Sequence, residues 1–363
     1  MNIPTTQLVT PHHVSRILAW IVILLGLPGP FALTPVNALD LEEALKDVHP
    51  EIPKWATIIK VTSPDDEPQF ETVHLGDSEN RVDFWPASTI KLYTVIAGVE
   101  FLNEHRMPLD SVVVFSRPDE NGGFVRDCAR TFSEMMSEVF RRSSNEDYTL
   151  LLRMMGIDYV NTRFLIPERG FPHSALMRDY VTYRPVIYEN DEPQMIELVA
   201  PDGRRTVIRH EWSGVSYAEQ RGATVLSSTT GNCTSTAELA NCVRRLVFHE
   251  HISPDERFHI TSDQARFILN GDEARGIVGF KNRSAGAYGW EQSGEVVFPD
   301  ADFYHKGGLI STYVLDVGYI SHESTGNHII FALAAHSGTE QVMRDMAKAV
   351  FESIRSQSEN DQP

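Results

Sequence analysis

Between Lys91 and Leu102 a helix would be apolar on nearly every face. Leu92, Val95, Ile96, Val99 and Leu102 repeat at helical spacing, and Tyr93, Ala97 and Phe101 fill the remaining directions. A helix of this kind is a buried one, so the chain must build a core around it. The length of 363 residues and the 42% apolar content allow such a core, in one large domain or two. Just ahead, Trp85-Pro86-Ala87-Ser88-Thr89-Ile90-Lys91 reads as the entry to the helix. Residues three apart share a helix face, with Cβ atoms roughly 5–6 Å apart, so the Lys91 amine can reach the Ser88 hydroxyl. A serine is a poor nucleophile until a neighbour takes its proton. A lysine withdrawn from water is pushed toward the neutral amine that can do so.

The net charge of −18 makes nucleic acid an unfavourable partner, because an acidic surface repels phosphate backbones. At the N-terminus, Arg16 precedes an unbroken apolar run over 17–25, followed by Pro28 and Pro30 and then Val36-Asn37-Ala38. That order matches a secretory signal peptide with a small-residue cleavage site. The run is too short to span a bilayer comfortably. The expectation is a periplasmic or secreted protein that is not membrane-embedded once processed. Cys128, Cys233 and Cys242 are an odd number, and the spacing of the last two suits a bridge poorly, so they read as buried thiols. His249-Glu250-His251 has two-residue spacing, which separates the rings on a helix. It reads as a solvated helix end, and no metal site is expected.

Along the chain, strands are predicted over 56–61 and 70–75, and a helix over 131–140. Another helix follows Arg142-Ser143-Ser144-Asn145 and is ended by Gly156. Segments 195–199 and 204–212 flank Pro201-Asp202-Gly203 and read as an inserted hairpin. Helices resume over 235–249, where Ser235 and Glu238 have capping-box spacing, and from 253 to about 270. Strands over 303–311, 313–321 and 328–336 precede a last helix over 339–354. Strands at both chain ends and helices between them predict an α+β fold. One antiparallel sheet would be built from the two ends and flanked by helices, with an all-α domain in the middle. The predicted division is a signal peptide over 1–38, an α/β part over 39–85, a helical domain over 86–287 with an insertion near 180–230, and the rest of the α/β domain over 288–357.

A third motif, Lys306-Gly307-Gly308, opens the first late strand. Glycines there let a ligand approach the backbone closely. Ser88-x-x-Lys91, Ser143-x-Asn145 and Lys306-Gly307-Gly308, in that order, resemble the serine β-lactamase and penicillin-binding protein superfamily, and most closely its class A-like β-lactamases. The resemblance covers roughly 40–357 and puts the 195–212 hairpin where the family's Ω loop returns, so the hairpin is expected to border the cleft at Ser88. It implies the β-lactamase/transpeptidase-like fold and an acyl-enzyme on Ser88, with Lys91 as proton acceptor or its orienter. Ser143 would relay a proton to the leaving nitrogen. Asn145 would hold the substrate's side-chain amide, and Lys306, Gly307 and Gly308 would bind its carboxylate end. The backbone N–H groups of Ser88 and Leu309 would form the oxyanion hole. No cofactor is implied. The partner would be a small-molecule β-lactam or a peptidoglycan stem peptide.

Two departures stand out. The family usually carries a hydroxyl residue where Gly307 stands, and Ser311 is the next hydroxyl on that side of a strand. The family's Ω-loop glutamate, which activates the deacylating water, has no matching pattern here. Family spacing lands near Asp179, with Glu168 and Glu189 the nearest glutamates. The expected activity is therefore β-lactam hydrolysis. The alternatives are a D-Ala-D-Ala carboxypeptidase or transpeptidase and a turnover-deficient binding protein.

Overall fold

The computed structural model of the chain describes residues 39–180, 192–224, 231–281 and 297–360. The apolar run over 17–25, the Val36-Asn37-Ala38 pattern and Glu189 lie outside these residues. Among the described residues, no helix is long and apolar enough to cross a membrane.

The two ends of the chain meet in one antiparallel sheet of order β2-β1-β11-β10-β9. β1 is Lys54–Thr62, β2 is Gln69–His74, β9 is Asp302–Ile310, β10 is Tyr313–His322 and β11 is Asn327–Ala335. β11 is the central strand, with Ile58 opposite Phe331 on one side and Gly318 opposite it on the other. All nine of its residues are buried, which is why Asn-His-Ile-Ile-Phe-Ala-Leu-Ala-Ala reads as a nearly continuous apolar run rather than an alternating one. One face packs on α1 (Leu41–Leu45) and the C-terminal helix α7 (Glu340–Asn360) through Leu41, Ile58, Phe331, Met343 and Val350. The opposite face packs on α5 (Thr236–Val247) through Ile59, Val317, Ile330, Leu239 and Val243.

The all-round apolar helix is α2, Lys91–Glu104, buried from Lys91 to Leu102. Around it pack α3 (Phe132–Arg142), α4 (Asn145–Met155) and α6 (Ser262–Asn270). Gly98 is where Phe132 lies against α2: a Cβ there would stand 2.6 Å from the ring.

The α+β class holds, but the middle of the chain is not all-α. It carries a second antiparallel sheet of order β4-β3-β5-β6. Its strands are β3 (Val112–Pro118), β4 (Phe124–Thr131), β5 (Gln194–Val199) and β6 (Arg205–His210). The 195–212 hairpin is present as β5 and β6, and β5 pairs with β3, with Val113 opposite Leu198 and Phe115 opposite Ile196. β3 escaped prediction although Val112-Val113-Val114-Phe115 is a β-branched and aromatic run, because the sequence around it is polar and mixed, and β4 is charged and only partly buried. The hairpin does not border Ser88. Its turn reaches the other end of α2, where Arg204 donates to the Arg106 carbonyl, about 20 Å along a helix of this length.

Two smaller corrections concern helix starts. Residues 253–260 are not helical; α6 begins only after Thr261, whose side chain forms a capping box with Gln264. Ser235 caps α5, but Glu238 turns away from the capping box and accepts from the backbone N–H of His173 and from Ser174 Oγ. A two-residue ladder joins β7 (Gly271–Asp272) to β8 (Ile277–Val278). The three cysteines are unbridged; Cys233 and Cys242 are buried and Cys128 is half-buried.

One buried ion pair ties the segment after α4 to the central helix. Glu100 of α2 accepts from Arg169 at 2.6 and 2.7 Å and from the His259 N–H at 2.7 Å. Breaking a buried pair strands the other charge and costs about 3–5 kcal/mol. Glu100→Gln is therefore expected to lower the unfolding free energy by about that much in urea titrations. A change below about 1 kcal/mol, typical of a surface pair, would show that Arg169 finds solvent.

Candidate active site

Ser88 lies in a tight turn, Ala87–Ile90, that leads directly into α2. Pro86 sets the turn; its carbonyl accepts from the Thr89 N–H at 3.2 Å and from Thr89 Oγ1 at 2.6 Å. Ala87 is left-handed, with φ +46. That conformation costs a non-glycine residue of order 1–3 kcal/mol and persists only where its surroundings enforce it. Here the surroundings are a buried cluster of Trp55, Phe84, Trp85, Tyr313 and Leu315. Ala87, Thr89 and Ile90 are buried, whereas Ser88 keeps partial exposure.

The second left-handed residue is Ser143, with φ +56, at the end of α3. Ser144 then caps α4 by accepting from the Asp147 N–H, which puts Asn145 in that helix's first turn. This sharp junction turns Ser143 and Asn145 toward the start of α2. Lys91 donates to the Ser143 carbonyl at 2.5 Å, to Ser143 Oγ at 3.2 Å and to Asn145 Oδ1 at 2.6 Å. From β9, Lys306 donates to the same Ser143 Oγ at 2.9 Å and to the Gly307 carbonyl at 2.7 Å. The three motifs thus meet in space, at Ser143. The hydrogen bonds of the Lys91 amine go to Ser143 and Asn145 rather than to Ser88 Oγ, one helical turn away.

Both amines are almost completely buried, at 0% and 1% exposure. Burial penalises the charged form. It holds Lys91 well below the ordinary lysine range; the neighbouring Lys306 charge pushes the same way, and Asp147 opposes. Burial lowers Lys306 to about 7, with Asp316 opposing. The flanking walls are aromatic. Lys91 Nζ stands 5.7 Å from the Tyr148 ring centre and 5.8 Å from that of Tyr180, and the two rings stack at 5.1 Å.

β9 is the sheet edge nearest Ser88, and Gly308 makes the contact. A Cβ at this position would lie 2.9 Å from the Ser88 nitrogen and 3.2 Å from that of Thr89. Only glycine lets the strand run this close to the turn. Leu309 follows, half-buried. Ser311 is exposed in the turn beyond β9 and does not supply the hydroxyl missing at Gly307. Of the candidate bases, Glu168 is exposed on a surface turn and Asp179 is buried.

Three residues at this site carried no sequence signal: Tyr148, Tyr180 and Asn232. Tyr180 donates to the Ala87 carbonyl at 2.8 Å, and Asn232 Nδ2 donates to Tyr180 Oη at 3.1 Å. They come from separate segments and have no spacing to read.

Residues 69–354 match the model of the beta-lactamase enzyme family. The chain belongs to that family. Its place is in the superfamily of serine β-lactamases and penicillin-binding proteins. A β-lactamase from Sphaerobacter thermophilus superposes with a TM-score of 0.53 at 15% identity, covering 89% of this chain and 97% of its own. A PBP-A mutant solved as an acyl-enzyme complex with penicillin G gives 0.53 at 16%, covering 87% and 96%. A class A β-lactamase from Mycobacterium abscessus gives 0.51 at 14%, covering 86% and 97%. At these identities the likeness is one of fold. No curated protein matches the chain.

The buried lysines fix the sign of a pH effect. Lys306 titrates at about 7 in the fold and near 10.5 once unfolded. Below about 7 both states hold the proton, and the penalty for burying the charge is fully present. Between about 7 and 10.5 the unfolded state binds the extra proton, so stability rises with pH by about 1.4 kcal/mol per unit. Urea unfolding at pH 7 and 9 should show the wild type gaining on Lys306→Met at that rate. A difference independent of pH would mean that Lys306 stays charged in the fold.

Proposed function

We propose that this family member opens β-lactam rings through an acyl-enzyme on Ser88. The observation that carries the reading is the buried Lys91 amine, which burial holds well below the ordinary lysine range. It is held on Ser143 and Asn145 one helical turn from a half-exposed serine. Ser88 Oγ attacks the lactam carbonyl and its proton passes to Lys91. The carbonyl oxygen becomes an oxyanion between the N–H groups of Ser88 and Leu309. The C–N bond breaks as Ser143, relayed by Lys91 and backed by Lys306, gives a proton to the leaving nitrogen. Asn145 turns its amide to the substrate side chain, and Lys306 with Gly307 and Gly308 faces the carboxylate end. The apolar run over 17–25 followed by Val36-Asn37-Ala38 supports a periplasmic or extracellular setting for this activity.

The second step is the slow one in this reading. Hydrolysis needs a base within roughly 2.6–3.2 Å of the water, or one water removed, and a missing base costs roughly 10²–10⁴-fold. Glu168 faces solvent on its surface turn, and Asp179 is enclosed beside Tyr148. This supports a second reading with the same acylation: an enzyme acting on peptidoglycan stem peptides, which penicillins trap. The neighbour seen as a penicillin G acyl-enzyme is in keeping with it.

A labelled penicillin should attach to wild-type protein at Ser88 and not to Ser88→Ala, with mass spectrometry locating the adduct. Rapid mixing with a chromogenic cephalosporin should give a burst of about one equivalent and then slow turnover. An adduct elsewhere would overturn the nucleophile. Fast linear hydrolysis abolished by Asp179→Asn would show that the base has moved rather than gone.

A further inference from the structure

We infer that Tyr180 is a positioning residue for the acylation step, acting through the Ala87–Ser88 peptide group. The inference rests on the proposed acylation of Ser88 and names how its backbone donor is held.

Ala87 C=O and Ser88 N–H belong to one planar peptide unit, and in a trans peptide they point in opposite directions. The chain has no cis peptide among its described residues. Whatever grips the Ala87 oxygen therefore aims the Ser88 N–H. Tyr180 Oη grips it at 2.8 Å. The direction of the proton is fixed by the next group along. Asn232 Nδ2 donates to Tyr180 Oη at 3.1 Å, so the phenol's own hydrogen is left for Ala87. The Asn232 amide cannot be turned around, because its Oδ1 already accepts from the N–H groups of Met177 and Arg178, at 2.8 and 2.9 Å. Burial raises Tyr180 above the usual tyrosine range, which keeps the hydroxyl protonated and donating.

The result is a one-way chain: Asn232 N–H to Tyr180 O–H to Ala87 C=O, and out through the Ser88 N–H. Bonds in such a chain polarise one another, so the last donor is strengthened as well as aimed. The need for a clamp is visible at Ala87. Its left-handed backbone (φ +46) is one a non-glycine residue leaves unless held. On the other side Gly308 closes against the Ser88 nitrogen and limits its movement. Tyr180 has no contact with the reacting atoms in this scheme.

The test is acylation of intact protein by a penicillin carrying ¹³C at the lactam carbonyl, read by stopped-flow kinetics and by the infrared stretch of the acyl carbonyl. Tyr180→Phe keeps the ring on Tyr148 and removes the clamp. It is expected to slow acylation roughly 10- to 100-fold, less than the roughly 10²–10³-fold cost of deleting a donor outright. The saturation constant should stay where it is, and the carbonyl band should move to higher frequency. Asn232→Asp reads the same chain from the other end. Its carboxylate keeps the bonds from the Met177 and Arg178 N–H groups, gives up the one to the Arg178 carbonyl, and takes the phenol's hydrogen away from Ala87, so it should reproduce both effects. Tyr148→Phe removes a hydroxyl from the same stack, bonded to the Arg178 carbonyl, and should leave the band in place. Wild-type band positions in both Tyr180→Phe and Asn232→Asp would overturn the inference while leaving acylation standing. A wild type that forms no adduct on Ser88 would overturn both.

Discussion

Two lysine amines share one serine hydroxyl inside the protein, and the rest of the site depends on that arrangement. Lys91 and Lys306 both donate to Ser143 Oγ and are almost wholly withdrawn from water. Two ammonium groups cannot both stay charged there, because desolvation and mutual repulsion act together. The consequence is an amine pushed toward its neutral form one turn of helix from a serine. Each part of the fold serves to hold this pair. α2 is buried all round, so Lys91 has no route to solvent. The left-handed end of α3 turns Ser143 inward. β9 brings Lys306 in from the edge of the main sheet, and Gly308 lets that edge reach the Ser88 turn.

Strain and burial are placed at the same few residues. Ala87 and Ser143 are both left-handed without being glycine, and both border the chemistry. Ala87 is held by its aromatic cluster and by the Tyr180 hydroxyl, and Ser143 by helices that end and begin on either side of it. The stability given up here is recovered in the two large apolar clusters on either face of the main sheet.

Much of this was legible in the sequence, for definable reasons. The all-round apolar helix, the late strands and the return of the last helix follow from periodicity over long segments. The three motifs were readable because each is local: a helix-face spacing, a loop tripeptide, a lysine with two glycines on a strand. What was not legible is non-local. The sheet to which β3 and β4 belong is completed only when β5 arrives from some eighty residues later to pair with β3. Tyr180, Asn232 and Tyr148 form one hydrogen-bonded group only after three segments fold together. The position of the hairpin turn was misjudged because it was carried over from the family's Ω loop, whereas this insertion reaches the far end of α2.

The central claim is that burial lowers both site lysines below the ordinary lysine range. The chain has only seven lysines, so it can be tested one residue at a time by ¹³C labelling of the lysine side chains and following the Cε resonances in an NMR titration, with Lys91→Arg and Lys306→Met giving the assignments. The account predicts that Lys306 titrates near 7 and that Lys91 loses its proton well below the ordinary lysine range. Titration of both with the exposed lysines, near 10.5, would contradict it and leave Ser88 without its proton acceptor.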